Sequence, residues 1–232
     1  MPLTSRPLLR RIAFLRRNRC SALLAALCVF ILFNPFVAES TVGALVLALG
    51  TIGILLLALW ALRAPRRTLV ALGLLALATL YGIAADRFGE HWLRPATLFA
   101  TAVFMGAVTG SLLLYVLDWH PITTDKVFGA VAAYVLIAFT FACLFGLLQQ
   151  LQPHSFHAAP IHAPENNFDW ATMMYFSFTV LTSTGFGEIT PVSRMARSLI
   201  VIEQVLGVMY VAFLVARLAN LYGRRSISDQ DR

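Results

Sequence analysis

Residues 168–191 read FDWATMMYFSFTVLTSTGFGEITP, and the fold turns on this stretch. Its apolar part, Trp170–Thr182, is too short to cross the roughly 30 Å of a bilayer core at about 1.5 Å per helical residue. Asn167 or Asp169 can cap a helix start and place an acid at its positive end. About three and a half turns of helix then run to Thr182. Ser183-Thr184-Gly185-Phe186-Gly187 follows. Glycine alternating with larger residues permits a positive φ at every second position. A strand of alternating handedness turns successive carbonyls the same way. Four such strands around an axis would stack rings of oxygens able to replace an ion's water shell. The short helix would aim its negative end at the membrane interior, where it favours a cation.

The rest of the chain supplies the membrane. Of 232 residues, 59% are hydrophobic and 12% charged. A soluble domain carries about 25% charge, so this chain cannot cover a water-facing surface. Disorder, collagen and coiled coil are excluded on the same ground. Six stretches are long and apolar enough to span: Cys20–Ala38, Thr41–Leu62, Thr68–Ala85, Pro95–Leu117, Val127–Leu148 and about Arg197–Tyr222. Asn34-Pro35 interrupts the first near its far end. The short segment lies between spans five and six, where a re-entrant piece is tolerated if protein or water surrounds it.

Fourteen of the 18 basic residues fall on one side of this layout. Arg6, Arg10, Arg11, Arg16, Arg17 and Arg19 precede span one. Arg63, Arg66 and Arg67 follow span two, Lys126 precedes span five, and Arg217, Arg224, Arg225 and Arg232 follow the pore-proximal part of span six. Arg87, Arg94, Arg194 and Arg197 lie opposite. The positive-inside rule puts both termini in the cytoplasm. The net charge of +7 is then a topology signal, and no nucleic-acid partner is expected. The basic head and first apolar run also have the form of a cleaved signal peptide, but Phe36 and Ala38 give no good cleavage site, which favours a retained helix. Cleavage would leave later spans in the same orientation. Cys20, Cys28 and Cys143 lie in or beside spans and imply no disulfide. With 17 Arg against one Lys, the composition suits a GC-rich bacterial genome. The expected location is a plasma membrane, as a bacterial inner membrane.

The segment resembles the pore domain of tetrameric potassium channels. The matching residues are Tyr175-Phe176-Ser177, then Leu181-Thr182-Ser183-Thr184-Gly185-Phe186-Gly187-Glu188, then Pro191. Gly207 lies 20 residues after Gly187, a spacing similar to that of the family's hinge glycine. The resemblance covers about Val127–Tyr222. It implies an ion-binding selectivity filter at Ser183, Thr184, Gly185, Phe186 and Gly187, with K⁺ held by backbone carbonyls only and no other metal or cofactor. It also implies filter support from Thr182, Glu188 and Tyr175, and a gating hinge at Gly207. Ser183 and Thr184 stand where relatives carry Thr and Val or Ile. The Thr184 hydroxyl is expected to face the packing behind the filter or compete with a carbonyl. Phe186 and Glu188 replace the commoner Tyr and Asp. Phe186 cannot donate the hydroxyl bond that braces many relatives, so weaker bracing is expected, by about 0.5–1.5 kcal/mol per bond.

Three further features belong to the same reading. Glu203 is the one acid well inside a span, where an ionisable group is costly and is paired or functional. It is expected behind the filter as a further filter-support residue, bonding pore-helix hydroxyls or Arg197, in a structural or a filter-tuning role. Val208, Val211 and Val215 recur at helical spacing and are the candidates for lining the cavity. His154, His157 and His162 lie in the loop Gln149–Asn167, read as a solvated turret, with a pH sensor as the competing reading. Span four, PATLFATAVFMGAVTGSLLLYVL, has no charge, so no voltage sensor of the arginine-ladder kind is encoded.

The expected fold is thus an all-α membrane protein of six transmembrane helices, with a re-entrant pore helix and filter loop between helices five and six. Residues 1–19 form a basic cytoplasmic N-terminus and 20–117 a four-helix membrane domain. Residues 118–126 are a cytoplasmic linker, 127–222 the pore domain and 223–232 a short cytoplasmic tail without a sensing domain. The expected function is passive K⁺ conduction by a homotetramer in lipid, without catalysis. A non-selective or sodium-conducting channel of the same build is the nearer rival. An enzyme or transporter is the farther one, since clustered ligands and repeated broken helices are missing. A non-conducting membrane subunit is the remaining alternative.

Overall fold

Long runs of Leu, Ala, Val and Phe with little proline or polar punctuation make helices here, and packing arranges them. The computed structural model describes residues 19–37, 66–87, 91–118, 123–158 and 168–230, with helical residues between 50 and 60. The helices are α1 (Arg19–Val37), α2 (Arg66–Arg87), α3 (Arg94–Leu117), α4 (Thr124–Leu151), α5 (Trp170–Leu181) and α6 (Arg194–Gln230). A 3₁₀ turn, His91–Leu93, leads into α3, whose Pro95 stands in the first turn. That position needs no amide hydrogen. Among the described residues, α3, α4 and Arg194–Arg217 of α6 are long and apolar enough to cross a membrane. The apolar parts of α1 and α2, Arg19–Phe33 and Leu72–Tyr81, are shorter. Most of the expected second span, the basic residues before Arg19, His162 and residues 119–122 of the linker lie outside the described residues.

α4 is the centre of the molecule, with α1, α3, α5 and α6 all packed on it. Its alanines, Ala130, Ala132, Ala133, Ala138 and Ala142, are all buried and let neighbouring helices come close. Leu23 and Leu27 of α1 and Phe104, Val108 and Leu112 of α3 fill the space beside it. At one end the helices are tied by polar contacts. Asp125 accepts from the Cys20 amide at 2.9 Å and from the Tyr115 hydroxyl at 3.2 Å. Its carboxyl therefore caps the positive start of α1 while joining α3 to α4. The Asp118 carbonyl, at the negative end of α3, accepts from Lys126 Nζ at 3.1 Å and from Arg217 Nη2 at 2.7 Å.

Several expected boundaries move. α1 runs through Asn34-Pro35 to Val37 instead of breaking there. α4 begins at Thr124, so Asp125 and Lys126 are a buried first turn and not linker. Thr123 caps it, its side chain accepting from the Lys126 amide. α6 continues as helix through residues 223–230, the expected tail. The fold is also not purely helical. Phe156–Ala158 (β1) pairs antiparallel with Ile189–Pro191 (β2), His157 opposite Thr190. The reason is alternation: Phe156 and Ala158 are buried while His157 faces out, a two-residue period that suits a strand.

Candidate functional site

α5 starts where its sequence allows. Asp169 caps it, a carboxylate oxygen accepting from the Thr172 amide at 2.8 Å. Aromatic rings fix its position. Phe176 meets Phe145 at 5.2 Å and Phe156 at 5.5 Å between centroids, and Phe178 meets Phe139 edge-on at 6.4 Å. Phe139 also takes Trp170 edge-on at 6.0 Å. Such pairs contribute about 0.5–1.5 kcal/mol each beyond area burial. Phe156 comes from β1, so the ribbon holds the loop after α5 as well as α5 itself.

A helix ends with carbonyls that lack intrahelical donors. Here the following loop supplies them. The Ser183 amide donates to the Val180 carbonyl at 2.9 Å. The Thr184 and Gly185 amides both donate to the Thr179 carbonyl, at 2.9 and 3.2 Å. In a planar trans peptide the N–H and C=O point in opposite directions. The carbonyls of Thr182, Ser183 and Thr184 share peptides with those three amides. They therefore turn away from α5, toward the face of the loop that is open on this chain.

The backbone angles carry the same pattern onward. φ is +56° at Ser183, +54° at Gly185 and +82° at Gly187, a positive value at every second residue. Glycine takes this region without a side-chain clash. Ser183 takes it at a cost, which the amide bonds around it offset. The Thr184 hydroxyl neither packs behind the loop nor competes with a carbonyl. It pairs with the Thr182 hydroxyl at 2.8 Å, and Thr182 Oγ1 also donates to the Phe178 carbonyl at 2.7 Å.

Bracing comes from α5. The Tyr175 hydroxyl donates to Glu188 Oε2 at 2.9 Å, and the Tyr175 ring lies parallel to Phe186 within 2°, centroids 6.4 Å apart. A tyrosine on the helix thus supplies the hydroxyl that Phe186 lacks.

Behind the loop, Glu203 is fully buried. Its Oε1 is hydrogen-bonded to the Ser177 hydroxyl, which also lies 2.8 Å from the Ala138 carbonyl of α4. Of the two expected partners the hydroxyl, that of Ser177 on α5, is the one present. Arg197 instead directs Nε to the Pro191 carbonyl at 3.5 Å. One turn on, Gly207 is pressed against α5: a Cβ there would lie 2.1 Å from the Leu181 carbonyl oxygen. α6 passes through Gly207 without a break, so close approach is what demands glycine there. Val208, Val211 and Val215 are exposed on this chain. His154 and His157 stand at β1, away from these contacts in sequence, and His154 has φ +66°.

Sequence reading missed two hydroxyls. Tyr134 donates to the Leu181 carbonyl at 3.3 Å and Tyr210 to the Ala130 carbonyl at 2.6 Å. A tyrosine in mid-membrane is the available signal, since a buried hydroxyl needs a partner. Among the described residues no group of His, Cys, Asp and Glu could hold a metal ion.

Fold and loop together define a helical membrane protein carrying an ion-channel module. Residues 131–224 match the family model described as "Ion channel". The chain is similar to Protein LctB of Geobacillus stearothermophilus, with 30% identity over 118 residues that cover 50% of this chain and 87% of that protein. No solved structure matches it. The chain belongs to the ion channel family built on the two-helix module.

Proposed function

We propose that this protein is a potassium-selective channel subunit, four copies of which surround one axis and let K⁺ pass down its gradient. The observation that carries this reading is the loop backbone. Three consecutive amides are tied back to α5, and φ is positive at Ser183, Gly185 and Gly187. Carbonyls turned outward from one chain become a coordination shell when four chains face each other. One loop cannot surround an ion, so assembly follows from the mechanism. Only 17% of the apolar stretch of α6 is buried within the chain, against 67% for α4, which leaves α6 a face for other copies, lipid and the cavity.

In this reading α4 is the outer helix, α5 a re-entrant pore helix, 183–187 the filter and α6 the inner helix. α1 to α3, with the expected second span, complete six spans, with both termini cytoplasmic. Gly207 is the expected hinge, and Val208, Val211 and Val215 line the cavity below it. Dehydrated K⁺ moves between stacked carbonyl sites by mutual repulsion, with no covalent step. The negative end of α5 lowers the energy of a cation below the filter.

The test is flux. Purified protein in liposomes should take up a K⁺ tracer under a K⁺ gradient, and Gly185→Asp should abolish uptake. Equal Na⁺ and K⁺ uptake favours the non-selective reading. No uptake of either ion favours a non-conducting subunit.

A further inference from the structure

Burying a carboxyl costs more than burying an apolar side chain of similar volume. Glu203 is nonetheless wholly buried on α6, with Ser177 of α5, also wholly buried, as its partner. Glu203 Oε2 has no partner among the described residues. Packing alone would be served as well by leucine. The position of the pair is more informative. Gly207, four residues after Glu203, meets the carbonyl of Leu181, four residues after Ser177. One turn of α6 is thereby registered on one turn of α5, at two points.

That registered turn contains Thr179 and Val180. Their carbonyls receive the amides of Ser183, Thr184 and Gly185. A slide of α5 along α6 would carry those carbonyls, and the loop hung from them, with it. We infer that Glu203 is a positioning residue for the permeation loop: through Ser177 it clasps α6 to α5 and sets the height at which the loop carbonyls stand. This inference rests on the reading of 183–187 as the filter. It adds a determinant of ion discrimination that touches no ion.

The hydrogen count identifies the conservative variant. A serine hydroxyl carries one hydrogen, so it cannot donate both to the Ala138 carbonyl and to Glu203. A hydrogen from position 203 completes the pair, and a glutamine amide can bring one. Glu203→Gln should therefore keep the clasp, and Glu203→Ala or Ser177→Ala should break it.

The experiment uses full-length protein in planar bilayers and reads Rb⁺/K⁺ and Na⁺/K⁺ permeability ratios from reversal potentials. Glu203→Gln should stay within about twofold of the parent, whereas Ser177→Ala and Glu203→Ala should each shift a ratio about fivefold, the scale of one lost hydrogen bond. The double variant should be no worse than the worse single variant. Parental ratios in both alanine variants overturn the inference, as do effects that multiply in the double variant. If Glu203→Ala yields no channels, Ser177→Ala, which deletes one hydroxyl, decides by the same ratios. A parent that does not prefer K⁺ over Na⁺ contradicts the potassium reading, and the Rb⁺/K⁺ shift between parent and variants still decides the clasp.

Discussion

Gly207 shows how one residue's role depends on what lies beside it. Its spacing from Gly187 suggests a hinge, yet the helix is continuous there and a Cβ would sit 2.1 Å from the Leu181 oxygen. The obstacle is backbone at the end of a helix, which cannot swing aside as a side chain can. Gly207→Ala should therefore push α6 off α5, lower stability by about 1–3 kcal/mol as other overpacked sites do, and reduce K⁺ flux. Thermal unfolding of the detergent-solubilised protein and tracer uptake check this together. An alanine variant with parental melting and flux would mean that the close approach to Leu181 does not demand glycine. The Glu203 position was legible as a costly buried acid. A hydroxyl of the short helix was legible as one of two partners; that it is Ser177, and that the Ala138 carbonyl joins it, was not, because only packing brings these residues to Glu203.

At the scale of elements, α5 was legible nearly to its ends. Asp169 announces the cap, and the run of apolar residues closes at Thr182 where hydroxyls and glycine begin. The ribbon of β1 and β2 was not legible. Three residues make too short a period to separate from a loop, and what stabilises β1 is Phe156 in contact with Phe145, Phe168 and Phe176. Phe156→Ala should cost about 3–5 kcal/mol, as loss of a buried ring does, and appear as a marked fall in melting temperature. At the other end, Arg217 joins α6 to the carbonyl of Asp118, the residue that caps the end of α3. This contact is exposed, and removing it should cost only about 0.5–1 kcal/mol. Arg217→Ala should change the open fraction of single channels roughly two- to fivefold and leave permeability ratios alone, because α5 and its loop are untouched. A changed ratio would place Arg217 in the filter's support instead.

For the whole molecule, low charge and long apolar runs were enough to read a membrane protein, and the channel module could be read from GFG with its flanking helices. The order of packing was not. Every long helix here is apolar on most sides, so periodicity does not say which face meets which neighbour. That choice is made by small residues on α4 and by a few polar ties: Asp125 to the start of α1, Ser177 to α4 and α6, and Lys126 and Arg217 to the end of α3. Past Arg94, α3 carries no charge and so no ladder of charges to move in a field, yet its end is tied to α6.

The proposed function stands or falls on whether the backbone carbonyls of the 183–187 loop select potassium. The reversal potential of purified protein in a bilayer, with K⁺ on one side and Na⁺ at equal concentration on the other, tests it most directly. Strong displacement toward the K⁺ equilibrium potential is the predicted result. A reversal potential near zero would contradict the account.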